Sequence, residues 1–452
     1  MLHARSLLLL APVLVCLGCS PAPQPEAQRR APIDEPLPAM KSFGVAPVMQ
    51  PTRANPDIAR DILELTFTME SGRPVPVLSR FEGPVTVTMT GQVPGSAGPD
   101  LARLLARLRS EAGIDIASAS AGQAASITVE FLSRGALQAT VPDAACFVVP
   151  RISSWAEFRS ARRSALVDWT TLTSREQVTV FIPNDTSPQE IRDCLHEEIA
   201  QALGPLNDLY RVTDTVFNDD NFNTVLTGFD MLVLRAFYAP DLHSGMSRDQ
   251  VAARLPGLLS RLNPGGAHPS AGAPGETPRA WISTLEAALG PKGALPIRAA
   301  AAERAVLMAR AAGWHDSRLA FSLFAFGRLT QASETEAAVK AFIEAGEIYR
   351  ALPGTQLQAA HVDMQLAAFA LSAGQPENAL FLASRGLIPV AEAENAALLA
   401  TLLMIKAEAL QELGRDSEAR EARLDSLGWA RYGFGPDSQV RDRMSEIASL
   451  AP

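Results

Sequence analysis

The sequence predicts an α/β domain followed by an all-α helical repeat domain, and three observations carry that expectation. Between Phe81 and Pro183 short β-branched runs alternate with stretches of helical period. Beyond about residue 280 no strand pattern occurs, and Ala/Leu-rich helix continues almost to the end. Within that last third a small residue recurs at helix bends with an Ala five positions on, at Ala332 to Ala337, Gly374 to Ala379 and Gly414 to Ala419. The spacing of these units is about 40 residues.

The chain opens with Arg5, an apolar run from Leu7 to Leu17 and then Gly18-Cys19. That order is a secretory leader with a lipoprotein-type cleavage site, and the run is too short to span a bilayer. Residues 1–18 are therefore expected as a signal peptide and Cys19 as the lipidated residue. Residues 19–56, rich in Pro, Ala and charge, are expected as a tether between lipid and fold. The expected location is the bacterial cell envelope, facing the periplasm, and the outer membrane because Ser20 rather than Asp follows Cys19.

Of the four cysteines, Cys16 leaves with the leader and Cys19 is acylated, which leaves Cys146 and Cys194. In an oxidising compartment that pair most simply forms a disulfide, tying the strand segment 145–149 to the turn before the next helix. A reactive thiol is the alternative. About 430 residues remain after cleavage, more than one compact core holds. The formal net charge of -9 becomes -10 without Arg5. Mild acidity with no basic patch argues against nucleic acid and against electrostatic adhesion to anionic lipid, so membrane attachment would rest on the lipid alone.

The elements follow in order. Asp57 can start a helix in which Ile58, Ile62, Leu65 and Phe67 have helical spacing. Residues 84–91 alternate as a strand, and Leu101, Leu104, Leu105 and Leu108 give 99–112 a helical period. Segments 114–119, 125–132 and 177–182 read as further strands, 226–238 and 248–262 as helices, and the Asn- and Asp-rich 214–223 as a loop. The first domain is expected over 57–262, a Gly/Pro/Ser/Ala hinge over 263–280 and the helical domain over 281–452.

Residues 194–208, Cys-Leu-His-Glu-Glu-Ile-Ala-Gln-Ala-Leu-Gly-Pro-Leu-Asn-Asp, form the centre of the chain. They read as a helix that stops at Gly204, because Ile199 and Leu203 pair at i, i+4 and Pro205 cannot continue the turn. From Glu197 onward the spacing resembles the active-site helix of the metzincin zinc proteases, HExxHxxGxxH. Glu198 and Gly204 align with that motif's catalytic Glu and its Gly. The three metal-ligand positions hold Glu197, Gln201 and Asn207 instead of histidines. Zinc prefers nitrogen and sulfur to one carboxylate and two amides, so neither metal nor cofactor is expected. His196 lies one position early, about 100° round the helix, with Ala200 as its i+4 partner.

Residues 226–238 are similar to the C-terminal helix of matrixin-type domains, and Phe217-Asn-Asp-Asp-Asn-Phe222 occupies the place of the family's Met-turn. Over about residues 80–246 the chain also resembles a proteobacterial lipoprotein family known as domain of unknown function 2927. Arg80-Phe-Glu-Gly-Pro-Val-Thr-Val87, the run 197–204, Phe217-Asn-Asp-Asp and Leu226-Thr-Gly-Phe-Asp carry that resemblance. The helical third is similar to a divergent tetratricopeptide array with extended helices, in which Leu366, Phe369, Leu380, Leu402 and Leu413 would stack between helices.

The resemblance implies a metzincin-like α/β fold with a degenerate zinc motif, a cleft lined by Glu198 and an edge strand beside it where an extended peptide can pair. Glu198 is the one candidate catalytic residue. A lone general base contributes about 10² to 10⁴-fold, far short of what amide hydrolysis requires. Glu197, Glu198, Asn207 and Asp208, with Asp219 and Asp220, could collect a hard cation such as calcium. Without one, adjacent carboxylates repel and one becomes protonated at neutral pH. His243, His268, His315 and His361 form no ligand spacing, and neither a G-x-S-x-G elbow nor a phosphate-binding glycine loop occurs. The expected function is a pseudo-metalloprotease that binds a peptide or protein partner. The alternative is a hydrolase using Glu198 with an unconventional metal or none.

Overall fold

The computed structural model describes residues 37–44, 48–120, 123–270, 272 and 274–452. The leader, Cys19 and the first part of the tether lie outside them. Among the described residues no helix is long and apolar enough to cross a membrane.

The first half begins with α1 (Asn55–Phe67), whose Ile58, Ile62 and Leu65 are fully buried. There follow β1 (Val85–Gly91), α2 (Ala97–Glu111), β2 (Ile116–Ser118), β3 (Ile127–Leu132), the short α3 (Arg134–Gln138), β4 (Phe147–Pro150), α4 (Trp155–Ala161), β5 (Val178–Pro183) and α5 (Pro188–Leu203). The strands form one five-stranded sheet in the order β2-β1-β3-β5-β4. All pairs are parallel except β4 with β5, so the edge strand β4 runs against the rest.

Alternation along the strands divides the two faces of this sheet. Val148, Val178, Val180 and Ile182 enter the main core with α2 and α5, while Phe147, Val149 and Phe181 face a smaller aromatic cluster with Trp155 and Phe158. Helix α5 is thereby seated across β4 and β5. Two further helices, α6 (Gly228–Phe237) and α7 (Arg248–Leu262), complete this half. Asn55 at the start of α1 and Asn263 after α7 exchange amide hydrogen bonds, Asn55 Nδ2 to the Asn263 carbonyl and Asn263 Nδ2 to Asn55 Oδ1, both 3.0 Å.

The strands and the long helices lie where the periodicity placed them, but α5 begins six residues before Cys194. Ser187 accepts a hydrogen bond from the Glu190 N–H and Pro188 sits in the first turn, a favourable helix start. The Cys146–Cys194 disulfide is formed. It joins the residue before β4 to the body of α5, not to a preceding turn. Helices α3 and α4, capped by Ser133 and Ser154, are too short to leave an apolar period in the sequence.

The second half is entirely helical: α8 (Arg279–Leu289), α9 (Leu295–Ala311), α10 (Ser317–Thr330), α11 (Thr335–Ala351), α12 (Gln356–Ser372), α13 (Pro376–Arg385), α14 (Leu387–Glu392), α15 (Ala396–Glu412), α16 (Asp416–Phe434) and α17 (Asp437–Ala448). Gly374 and Gly414 take positive φ values of 65° and 72°, the left-handed conformation that turns one helix back on the next. Ala379 and Ala419, five residues later, are buried where the helices approach. Leu402 is fully buried, and Leu366, Phe369 and Leu380 pack against the same core.

The halves are joined at several places. Gln189 and Arg192 of α5 bond to Asn395, the Ala397 N–H and the Glu394 carbonyl, and Tyr432 of α16 donates to Asp100 of α2. The tether expected over 19–56 differs in its second part, because its apolar residues find partners. Phe43 stacks on Trp429 with ring centroids 4.5 Å apart, and the Lys41 N–H donates to the Gly428 carbonyl. The same segment then passes Gly228, where a Cβ would lie 1.9 Å from the Met49 carbonyl oxygen, so only glycine admits it. The connector expected as a hinge, 263–280, is bonded at both ends, through Asn263 and through Arg318 of α10, which donates to the Gly275 carbonyl.

Candidate functional site

Helix α5 turns Ile191, Leu195, Ile199 and Leu203 into the main core. Its C-terminus is closed by Arg175, a buried residue just before β5. That guanidinium donates to the carbonyls of Gln201, Ala202 and Gly204 and stacks over Trp169 at 4.8 Å. These are among the carbonyls a helix end leaves unpaired. Gly204 has its own reason to be glycine: a Cβ there would lie 2.5 Å from the Phe237 ring of α6. The glycine of the motif is thus explained by helix crossing, without reference to a metal.

His196 is buried, and its Nδ1 accepts the Leu226 N–H at 3.0 Å. Burial, reinforced by Arg192, Arg107 and Arg103, pushes its pKa well below 6.5, so the ring is neutral and serves as an acceptor. It ties α5 to the residues just before α6. That helix starts on a reciprocal Thr227/Asp230 cap, and Asp230 also receives Thr215 and the Val216 N–H.

Two of the three positions where the motif would place ligands are used for internal bonding. Gln201 Nε2 donates to Glu70 Oε1 at 3.2 Å, and Asn207 Nδ2 donates to the Glu64 carbonyl at 3.3 Å. Glu197 lies half-buried on the same side of α5 as Glu70 and Asp219. Glu198 is 4% exposed, and its Oε2 has no hydrogen-bond partner. Among the described residues no group of three His, Cys, Asp or Glu side chains is arranged to hold a metal ion. The calcium arrangement considered from the sequence, with Asp219 and Asp220 completing it, has no such geometry here.

Instead the region gathers carboxyl groups, of which Glu198 is buried, Glu197, Asp208 and Asp220 are half-buried, and Glu70 and Asp219 reach solvent. Glu70, which follows α1 and accepts from Gln201, acts electrostatically on Glu197 and Glu198 of α5 and on Asp208 of the loop between α5 and α6, where Asp219 acts on Glu70 in turn. Burial, then Asp219, Glu70 and Asp193, pushes Glu197 up to about 8. Burial, then Asp219, takes Glu70 to about 7, and burial takes Asp220 to about 8. Glu198 and Asp208 are driven well above the carboxylate range, by burial first and then by their acidic neighbours. Glu198 is thereby biased toward its neutral acid form, which makes it a poorer acceptor for a proton from water.

These raised values fix the sign of a pH effect. The folded protein holds protons that the unfolded chain releases at its ordinary carboxyl pKa, so the stabilising contribution is complete below about pH 4. It is lost as pH rises through the folded values, about 7 for Glu70 and about 8 for Glu197 and Asp220. Asp168, which Arg73 holds down to about 2, acts in the opposite sense and only in acid. The melting temperature is expected to be highest near pH 4 and to fall by about 3 °C by pH 8.5, roughly what ~1 kcal/mol is worth in a domain of this size. Asp220→Asn should flatten that profile in a thermal-shift series.

Residues the sequence did not bring forward hold this site together. Arg175 and Glu70 sit in turns without periodicity. Tyr210 and Phe222, in the loop after α5, leave their own half and enter the helical core. Two aromatic residues flanking an Asn- and Asp-rich loop were the available signal.

A mixed α/β domain built around a buried acidic helix thus occupies the first half of the chain. The family model described as a protein of unknown function (DUF2927) matches residues 55–257, and this domain belongs to that family. No curated protein matches the chain.

Proposed function

We propose that this protein is a lipid-anchored, periplasm-facing binding module, a pseudo-metalloprotease whose metzincin-like domain holds a peptide or protein partner and performs no zinc chemistry. The observation that carries this reading is the bonding at the motif positions. Gln201 and Asn207 donate their amide N–H groups inside the fold, and Glu198 is buried with its carboxyl pKa raised by burial and by Glu197 and Glu70. A zinc hydrolase needs ligands that present lone pairs to an open metal position and an ionised base beside it. Descent from the metzincin-like fold is supported by the placement of α5 after β5, its end at Gly204 against α6, and the antiparallel edge strand β4 tied to it by the disulfide.

Two surfaces suit a partner. Among the described strands β4 pairs only with β5, so its outer edge can receive an extended segment. In the helical half, which we read as tetratricopeptide-like, a groove of about 500 Å³ is lined by Leu380, Phe381 and Leu413 with Glu377, Arg385 and Arg415. Phe381 is 62% exposed there. A peptide library incubated with the chain beginning after Cys19 should show retained peptides without cleavage, and Glu198→Ala should leave retention unchanged. Cleavage that disappears in Glu198→Ala would establish the hydrolase reading instead.

A further inference from the structure

We propose that the face of α16 running from Asp425 to Tyr432 is a docking site for an extended peptide that carries a Lys or Arg two residues before an aromatic side chain. Residues 37–44 of the chain occupy it in cis. The inference concerns neither the β4 edge nor the groove at Phe381, and it does not depend on the metzincin-like reading.

Residues 37–44 have no secondary structure and lie along α16 with their backbone engaged at two points. The Lys41 N–H donates to the Gly428 carbonyl at 3.0 Å, and Arg431 Nη1 donates to the Pro38 carbonyl at 2.8 Å. Asp425, Gly428, Trp429 and Tyr432 stand at i, i+3, i+4 and i+7, so they form one stripe of the helix. Each of them meets the segment. Asp425 pairs with the Lys41 ammonium, which also sits 5.4 Å from the centre of the Trp429 ring. Phe43 stacks on Trp429 and meets Tyr432 edge-on, with centroids 6.5 Å apart. Gly428 is the notch in the stripe, because a Cβ there would lie 2.8 Å from Lys41 Cγ and 3.3 Å from the Ala39 carbonyl oxygen. Glycine inside a helix costs about 0.5 to 1 kcal/mol relative to alanine, and here the missing side chain admits the peptide backbone.

Two main-chain bonds, an acidic partner for a cation and an aromatic slot are the parts of a peptide-recognition surface. The segment that fills it is held loosely. Within 37–44 only Leu37, Pro38 and Phe43 are half-buried, and the other residues are exposed. The Lys41 and Asp425 side chains are 43% and 44% exposed, so their pairing is worth about 1 kcal/mol at most. Covalent connection keeps such a weak ligand in place, since a short tether gives an effective concentration of the order of millimolar. A separate peptide with the same side chains competes for the stripe. Arg192 of α5 completes the aromatic slot, 5.7 Å from the Phe43 ring and 5.4 Å from that of Tyr432. The site therefore spans the joint between the halves, and a partner seated there recognises the assembled chain.

A fluorophore-labelled peptide of residues 37–44, titrated by anisotropy against the chain beginning after Cys19, tests the site. The double variant Lys41→Ala, Phe43→Ala vacates the stripe without altering α16. It should bind the peptide with a Kd at least about tenfold lower than the native chain, the factor by which a millimolar cis competitor blocks a site of about 0.1 mM. Gly428→Leu, a better helix former than glycine, fills the notch and should abolish binding in the vacated background while far-UV circular dichroism is retained. Asp425→Lys should weaken binding at least about threefold, and a peptide carrying Lys41→Glu should recover that loss. Equal affinity for the native and vacated chains, no binding to the vacated chain at about 1 mM peptide, or binding indifferent to Gly428→Leu would overturn the proposal.

Discussion

Phe222→Ala is expected to split thermal unfolding into two transitions and to cost the joint about 3 to 5 kcal/mol, the usual range for truncating a buried phenylalanine. Phe222 is 2% exposed, although it sits in a loop of the first half. Its ring lies 4.7 Å from His361 and 5.5 Å from Phe324, inside the core of the second. Truncation leaves a cavity between rings that α10, α11 and α12 hold apart, so the site cannot collapse around it. Each half keeps its own hydrophobic cluster. The halves should consequently remain folded but unfold independently, which differential scanning calorimetry resolves. The exposed Phe381→Ala is the control and should move neither transition by more than about 0.5 kcal/mol. A single unshifted transition in Phe222→Ala would show that the loop does not couple the halves.

Arg175→Met is expected to destabilise the first half by about 3 to 5 kcal/mol, since each charge-assisted bond lost to a buried carbonyl is worth about 1.5 to 3 kcal/mol. Arg175 is 3% exposed and serves three carbonyls at the end of α5, while its Nε donates to Ser79 at 3.3 Å. Burial lowers its pKa to about 10, which still leaves it charged at neutral pH. Methionine fills similar volume but leaves the Ala202 and Gly204 carbonyls without the arginine donor in a buried position, while the Gln201 carbonyl keeps only the Gly204 N–H. Lysine keeps the charge and lacks the planar fork, so Arg175→Lys should recover less than half of the loss in urea unfolding. Full recovery by lysine would mean that charge alone, not the geometry of the cap, holds the helix end.

Much of this architecture is legible residue by residue. Strand alternation and helical period located β1 to β5 and the bounds of α7, because one-sided burial writes its period into the sequence. The cysteine count pointed to the disulfide. The true start of α5 was legible as well, in Ser187-Pro188 with Glu190 at the third helical position. The motif downstream of Cys194 masks that start. The carboxyl cluster was not legible as a whole, since Glu70 and Asp219 are far apart in the chain and meet only through the fold. Asp208 and Glu198 stand out in the sequence as a candidate ligand and a candidate base, but that Glu198 Oε2 and Asp208 Oδ1 are enclosed without a hydrogen-bond partner shows only once the fold is in place. Residues 37–44 read as tether because a short apolar pair, Leu37 and Phe43, has no period, and Trp429 reveals its use only in three dimensions.

The proposed reading holds that α5 binds no metal, because Gln201 and Asn207 are engaged inside the fold. Elemental mass spectrometry of the chain beginning after Cys19, beside Glu197→Ala and Gln201→Ala, tests it most directly. The account predicts no stoichiometric metal in any of the three. A full equivalent of a transition metal in the native chain, lost in both variants, would contradict it.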